Sequence, residues 1–579
     1  MTLSKKLPTT SWKLNNNGNK SVENSLSKEF GVSPIISQVL INRNLLDIDD
    51  ARRYLYPSLN DLHSPLLMKD MKQGVARMSQ AIHNNEKIVI YGDYDADGIT
   101  SVVVLFKFLK ELTPHVSFFI PHRIEHGYGL KKSIIDQFKA ENISLILTVD
   151  CGISDIEQIA HARNLGIDTI VLDHHEISTT LPCAVAAINP SREDCSFPFK
   201  NLAGVGIAYN FLIALRGALR KEGFWKNNDY PNLKEYLDIV ALGTIGDIAP
   251  LIDENRIFTK MGLELITEGK RPGIKALKEV SGVDGQVIDS FKASFCLIPR
   301  INAAGRIASA LDAVQLLLTD NMDEARSLAA KLDEYNRLRQ SMEKDILKDI
   351  LDKIGNTPDW EKLNALVFAS DKWHPGVVGI VASRLVDLFR RPAFVISLSD
   401  GIGKGSGRSI SEFNIHQGLK QCASLLLSYG GHYRAAGISI KEDDIDEFSG
   451  LLNEIIENNV ESQETVSQTI IDTECQLSDI NLNLINEMDL LAPFGCENPE
   501  PLLCARNLKA SSASIVGNNH LKMKLISKSI SRDSIWFSRG DFLPAISGAN
   551  MDVVFTPHIN YWNGASDIQL KMKDVSILD

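Results

Sequence analysis

Four times along this chain an apolar segment runs straight into an acidic residue, and that pattern restricts the fold more than any other feature. Lys87 to Tyr91 is short, apolar and β-branched, and ends at Gly92 before Asp93. Ile143 to Val149 is closed by Asp150 and Gly152, and Asp168 to Leu172 by Asp173, His174 and His175. Leu237 to Ile245 is followed by Gly246 and Asp247. Between the first of these lie Ile99 to Leu112, apolar and of helical length, and the strand-like run Val116 to Ile120. Strands alternating with helices predict a mainly parallel sheet covered on both faces. In such a sheet ligands bind beyond the carboxyl ends of the strands, which is where three of the four acidic motifs fall.

The densest motif is Gly92-Asp93-Tyr94-Asp95-Ala96-Asp97-Gly98. Three carboxylates at alternating positions repel one another unless a divalent cation neutralises them, and oxygen ligands favour Mg²⁺ or Mn²⁺. A calcium-binding or solvated acidic turn is the competing reading. For Asp150 and Asp247 the competing reading is a helix cap, and a His-His pair is weak evidence by itself. Taken together, Asp95, Asp97, Asp150, Asp247 and a histidine suffice for two ions. Ions about 3.5–4 Å apart can hold both the attacking and the leaving oxygen of a phosphoryl displacement.

At 579 residues the chain exceeds one hydrophobic core and predicts several domains. Asp323 to Ile354 reads as one long connector helix, because no Gly or Pro interrupts it before Gly355. A second α/β unit starts at Leu366. Glu457 to Gln468 reads as a linker or helix end. Beyond it, short alternating runs such as Leu521 to Leu525 and Ile568 to Lys573 predict a small antiparallel barrel or sandwich. Its Lys522, Lys524, Lys571 and Lys573 fall on one strand face, with Trp536, Phe537, Tyr561 and Trp562 nearby. That combination suits backbone tracking and base stacking, or else an ordinary solvated face with core aromatics.

The formal net charge of −12 argues against nucleic acid as partner unless a local basic groove exists. The eight scattered cysteines read as free thiols of a reducing cytoplasm. No apolar run reaches the roughly 18 residues of a membrane span. Met1 to Lys20 is polar, lacks the apolar stretch of a signal peptide, and is expected to be a frayed tail.

The motifs Asp93 to Gly98, Val149 to Gly152 and Asp173-His174-His175 resemble those of the DHH phosphoesterases. Arg300 to Arg306, His374 to Gly379 and Gly430 to Gly437 narrow the resemblance to the bacterial single-strand-specific exonucleases of that superfamily. Pro121-His122-Arg123 with Gly127-Tyr128-Gly129, and Pro493-Phe494-Gly495 with Asn498 to Pro501, fit as well. The resemblance implies an α/β chain: an N-terminal segment (1–60), a parallel-sheet DHH catalytic domain (61–270) and a linker with the long connector helix (271–360). A smaller α/β DHHA1 domain (361–455) and an OB-like C-terminal barrel (456–579) follow. It implies Mg²⁺- or Mn²⁺-dependent hydrolysis of single-stranded DNA from the 5′ end. The implied metal ligands are Asp95, Asp97, Asp150, His174 and Asp247, with Asp93 supporting them or binding one ion less directly, and His175 at the scissile phosphate. Arg123, Arg306, Ser406, Arg408 and His432 would bind substrate. The segment Gly401 to Ser409, with Lys404, is expected to be a phosphate-binding edge or else a flexible loop, and His432 to be a phosphate contact or else a core histidine. The resemblance also implies a monomer, with single-strand-binding protein and a recombination helicase as partners. A hydrolase of short oligonucleotides or cyclic dinucleotides is the enzymatic alternative, and a degenerate scaffold that only binds is the other. The full acidic set argues against the scaffold.

Overall fold

The computed structural model describes residues 11–15, 18–177, 180–226, 229–356, 359–459, 468–562 and 565–578, with backbone only at 561, 562 and 565. It divides into two units, one formed by residues 63–249 and 261–463, the other by 1–62, 250–260 and 464–579. Most of the expected linker Glu457 to Gln468 lies outside the described residues, as do the side chains of Tyr561 and Trp562.

In the first unit a five-stranded sheet runs in the order Val116–Phe119, Ile88–Tyr91, Leu145–Val149, Asp168–Leu172, Ala186–Ile188, with every pairing parallel. Its first strand in sequence lies inside the sheet, so successive crossovers leave in opposite directions and open a crevice at the carboxyl ends. Helices cover both faces. Ile134, Phe138 and Ala162 pack on Val89, Tyr91 and Ile146 from one side. Helices Ala96–Leu112, Gly204–Lys221 and Met71–His83 cover the other. Burial on both faces explains why these strands read as continuous apolar runs rather than alternating ones.

The predicted connector is a single helix, Met322–Asn356, of 35 residues, ~52 Å long at 1.5 Å per residue. It leads to a second five-stranded sheet, ordered Leu426–Gly431, Ala435–Lys441, Ile402–Arg408, Ala393–Ser399, Leu366–Ser370. Only the last pairing is parallel.

In the second unit the strands Leu503–Val516, His520–Ser527, Ile530–Trp536, Ala565–Ile577 and Asn550–Trp562 close into a barrel through the pairing of the first with the last. The expected antiparallel barrel needs one correction. Ile530–Trp536 and Ala565–Ile577 pair parallel, which is what closure demands when the last two strands enter the ring in reversed order. Leu521, Met523, Leu525, Leu570 and Met572 fill the interior, and the intervening lysines point outward. The N-terminal segment shares this core, since Leu26, Ile36 and Val39 belong to the same buried cluster as Leu521 and Phe555. Part of the expected frayed tail is ordered: Ser11–Leu14 pairs parallel with Gln468–Ile471.

Candidate active site

Three strand ends and one helix end bring the acidic motifs together. Asp93, Asp95 and Asp97 follow the Ile88–Tyr91 strand, Asp150 follows Leu145–Val149, and Asp173, His174 and His175 follow Asp168–Leu172. Asp247 caps the C-terminus of the helix Leu237–Gly246. Among the described residues, three groups of candidate ligand atoms each lie within 4.8 Å of one another: Asp93/Asp95/Asp150, Asp97/His174/Asp247 and Asp150/His174/His175. Asp150 belongs to two of these groups. It sits at φ 60, a left-handed conformation that Asp tolerates better than most residues. Its backbone N–H donates to Leu172 O at 3.0 Å.

The electrostatics of this cluster are unbalanced. Burial, then the neighbouring Asp95, pushes the Asp93 carboxyl well above the ordinary range. Burial, then Asp97 and Asp95, does the same to Asp150, and burial raises Asp247 to about 7. Asp93 Oδ1 is buried with no hydrogen-bond partner among the described residues. A buried, orphaned carboxylate oxygen among like charges is what divalent cations relieve, and the oxygen-rich donor set suits Mg²⁺ or Mn²⁺.

The remaining groups are held by backbone. Asp95 caps the helix Ala96–Leu112, accepting from the N–H groups of Asp97 and Gly98 at 3.0 and 3.1 Å. Asp97 accepts from Gly204 N at 2.6 Å and Val205 N at 2.8 Å, the first N–H groups of the helix Gly204–Lys221. His174 Nε2 lies 3.1 Å from Asp150 Oδ1, and its Nδ1 3.7 Å from Asp247 Oδ2. Burial alone would lower its pKa, but Asp247 and Asp97 raise it. His175 Nδ1 donates to Asp173 Oδ1 at 2.8 Å. Against burial, that bond and the Asp173 charge hold His175 up at about 9. That bond commits Nδ1 of His175 to Asp173 and leaves Nε2 for another partner.

A basic group adjoins the acidic one. The Arg123 guanidinium lies over the Tyr94 ring, 5.0 Å from its centroid. Burial, then repulsion from Arg123, lowers Arg306 to about 10 and also lowers Arg408. None of the three arginines has a carboxylate within ion-pair distance among the described residues. Arg306 has only a 3.5 Å contact to Gly376 O, and Arg408 donates to Ser406 Oγ at 3.1 Å and Gly407 O at 2.9 Å. His432 is half exposed, with its ring 6.2 Å from that of His175 and its Nδ1 3.4 Å from Glu176 Oε2. It is not a core histidine.

Two sequence expectations change here. Gly401 to Ser409 is neither a loop nor a glycine-lined edge, because Ile402–Arg408 is the central strand of its sheet. A Cβ on Gly403, Gly405 or Gly407 would come within 2.4–2.7 Å of Ile396, Ile438 or Phe394. The glycines therefore make room for neighbouring core side chains, and the alternate positions Lys404, Ser406 and Arg408 face the other way. Trp536 is not available for stacking on bases. It is buried against Phe542 at a 5.6 Å centroid distance, whereas Phe537 is exposed.

Sequence reasoning misses other site residues. Tyr128 Oη donates to Asp150 O at 3.2 Å and lies 3.3 Å from His175 Nδ1. Asp173 accepts from Ile153 N, His174 N and His175 N, so it orients the histidine pair rather than facing the cluster. Asn302 Oδ1 accepts from Ala96 N at 2.8 Å. The Gly-Tyr-Gly spacing and the Asn inside Arg300 to Arg306 are the available signals, but nothing local says what either touches.

Known proteins match this architecture. The DHH family N-terminal domain matches residues 87–244, the DHHA1 domain 362–458 and the RecJ OB domain 471–574. The single-stranded-DNA-specific exonuclease RecJ of Bacillus subtilis is 38% identical over 560 residues, covering 96% of this chain and 69% of the relative. The crystal structure of RecJ from Thermus thermophilus in complex with Mn²⁺ superposes with a TM-score of 0.84 at 28% identity, covering 98% of this chain and 80% of the other. The same protein in complex with Mg²⁺ gives 0.78 at 28% identity, covering 98% and 78%.

Proposed function

The chain belongs to the RecJ family of single-stranded-DNA-specific exonucleases, and from that premise we propose how its own residues perform the reaction. The protein is a metal-dependent exonuclease that takes Mn²⁺ or Mg²⁺ and acts on single-stranded DNA. Our proposal concerns polarity, product and site: digestion from the 5′ end with release of mononucleotides, in DNA repair and recombination.

Asp93, Asp95, Asp97, Asp150, His174 and Asp247 would hold two ions. When bound, such ions neutralise the carboxylates, acidify water and stabilise charge on the phosphoryl oxygens. Asp97 is pre-oriented by the Gly204 and Val205 N–H groups, so little reorganisation is needed on its side. His175, fixed through Nδ1 by Asp173, presents Nε2 to the phosphate and can carry its proton there. Arg123, Arg306, Ser406, Arg408 and His432 would grip the terminal phosphate.

One observation carries this reading: three guanidiniums lie together beside the acidic cluster, two of them depressed by burial and mutual repulsion, and among the described residues none has a carboxylate within ion-pair distance. Buried unpaired arginines are costly unless an anion occupies the space, and their forked donors match phosphate. An anion anchor at one fixed place favours a chain end over an internal segment. The test is digestion of single strands labelled at either end, with Mn²⁺. The 5′ label should appear at once as a mononucleotide, while the 3′ label persists in long fragments. The reverse order would overturn the assignment.

We extend the proposal to single-strand-binding protein and a recombination helicase as partners, and to a monomer, on family kinship alone. A reducing cytoplasm fits the eight cysteines scattered through the chain. Among the described residues no helix is long and apolar enough to cross a membrane.

A further inference from the structure

The helix Ile298–Ile307 carries two groups with different duties on one face, Asn302 and Arg306, one turn apart. Asn302 Oδ1 accepts from Ala96 N at 2.8 Å. A backbone N–H can only donate, so the amide oxygen must face it, and the side-chain orientation is fixed by chemistry. Ala96 is 1% exposed and lies between Asp95 and Asp97. Its N–H completes the cap of the helix on which the acidic loop ends, beside the two N–H groups that Asp95 accepts.

The same helix touches the loop by backbone. A Cβ on Gly305 would lie 2.1 Å from Tyr94 O, and a Cβ on Gly376 would lie 2.1 Å from Arg306 O. Loop, helix and the His374-Pro375-Gly376 turn are therefore stacked main chain on main chain, with no flexible side chain between them. At the other side Arg300 fixes the helix to the connector through the buried Asp333, at 2.8 and 2.9 Å.

We infer that Asn302 is a positioning residue that sets the distance between the acidic cluster and the terminal-phosphate grip, and thereby which phosphodiester is cut. This rests on the reading that Arg306 holds the terminal phosphate. If the grip is tied rigidly to the loop that carries Asp93, Asp95 and Asp97, only one bond can reach the cluster once the end is seated. Mononucleotide release then follows from the tie. A loosened tie would let the second or third bond reach it.

The experiment uses the full chain and the variants N302L, N302D, G305A and R306A. Three quantities are read: product length by mass spectrometry, the half-saturating Mn²⁺ concentration, and affinity for a short 5′-phosphorylated oligonucleotide in EDTA. N302L keeps the volume but loses the acceptor. It should release di- and trinucleotides and raise the Mn²⁺ requirement about tenfold, as loss of an outer-shell support does. Its EDTA affinity should stay within about twofold of wild type, since the arginines are untouched. N302D retains an acceptor of the same reach and should keep mononucleotide release. Mononucleotides alone with an unchanged Mn²⁺ response in N302L would overturn the inference, as would N302D behaving like N302L. If circular dichroism finds N302L unfolded, G305A decides. Its Cβ forces the helix off Tyr94 while leaving the Asn302 side chain chemically intact, and unaltered product lengths there would overturn the idea. R306A separates the two readings. If it binds 5′-phosphate and 5′-hydroxyl ends with the same preference as wild type, the phosphate grip is wrong and the inference falls with it. If only the N302L result fails, the grip stands.

Discussion

His175 and His432, from the two α/β sheets of one unit, lie ring to ring with centroids 6.2 Å apart and planes 24° apart. The first is oriented by Asp173 and the second approaches Glu176. Replacing His432 by Ala should lower kcat/KM for a 5′-phosphorylated strand roughly tenfold, ~1.4 kcal/mol, with the Mn²⁺ requirement unchanged. Glu176→Gln should do little, because both partners of that pair are exposed enough for solvent to screen it. A steady-state comparison of the two variants checks this, and equal losses would mean that the pair acts as a unit, with Glu176 holding the imidazole in place.

Asp150→Ala should cut turnover by about a thousandfold, ~4 kcal/mol, and leave binding of a labelled strand in EDTA nearly intact. Asp150 is shared by two of the three ligand groups, whereas the arginines lie elsewhere. Turnover above about a tenth of wild type would contradict a two-ion site.

Arg408→Ala should weaken binding of a 5′-phosphorylated end more than that of a 5′-hydroxyl end, by about 1–3 kcal/mol of charge-assisted hydrogen bonding. Fluorescence anisotropy with both end types measures the difference. Equal weakening of the two would mean that Arg408 contacts the strand backbone rather than its end.

Legibility in the sequence followed distance along the chain. Runs such as Ile88–Tyr91 and Leu145–Val149 are buried on both faces, so apolar continuity marked the strands and the next residue marked the site. The helix Met322–Asn356 was readable because nothing breaks it. Asp97 accepting from Gly204, 107 residues away, has no local trace. Nor does Asn498, which donates to Leu491 O and Pro493 O and accepts from Tyr54, 444 residues away. That bonding makes the Pro493 to Pro501 motif a structural knot of the barrel unit. The strand Ile402–Arg408 hid for a different reason: period-two patterning needs side chains, and its inward positions are glycines filled by neighbours.

Deleting residues 457–579 should not leave a well-behaved enzyme. The N-terminal helices Lys20–Phe30, Pro34–Asn42 and Ile48–Leu55 bury Leu26, Ile36 and Val39 in the barrel's own cluster. Each such side chain loses about 2 kcal/mol of burial when its partner surface is removed, and the exposed patch should drive association. Size-exclusion chromatography of chains with and without the deletion should find the truncated form aggregated. A monodisperse truncated chain would mean that the N-terminal segment refolds elsewhere.

The barrel's outward lysines can be tested without cutting the chain, and charge pairing makes the expectation directional. Lys522 and Lys524 lie 3.6 and 3.9 Å from one carboxylate, Asp533, and Lys571 lies 3.8 Å from Glu500. The face is therefore less positive than its lysines alone would make it. If a single strand tracks along it, removing each phosphate-binding lysine should flatten the log–log salt dependence of binding by about 0.7. Lys524→Ala with Lys573→Ala should then lower the slope by about 1.4 for a strand long enough to reach the barrel, and leave a very short one unaffected. Asp533→Ala should act in the opposite sense. It frees the two neighbouring lysines for phosphate, so affinity at low salt should rise and the slope steepen. The opposed pair of changes matters because a merely destabilised barrel would weaken binding in both variants. Slopes that stay at the wild-type value in both would remove this face from the DNA path and leave the exposed Phe537 side of the barrel as the next surface to probe.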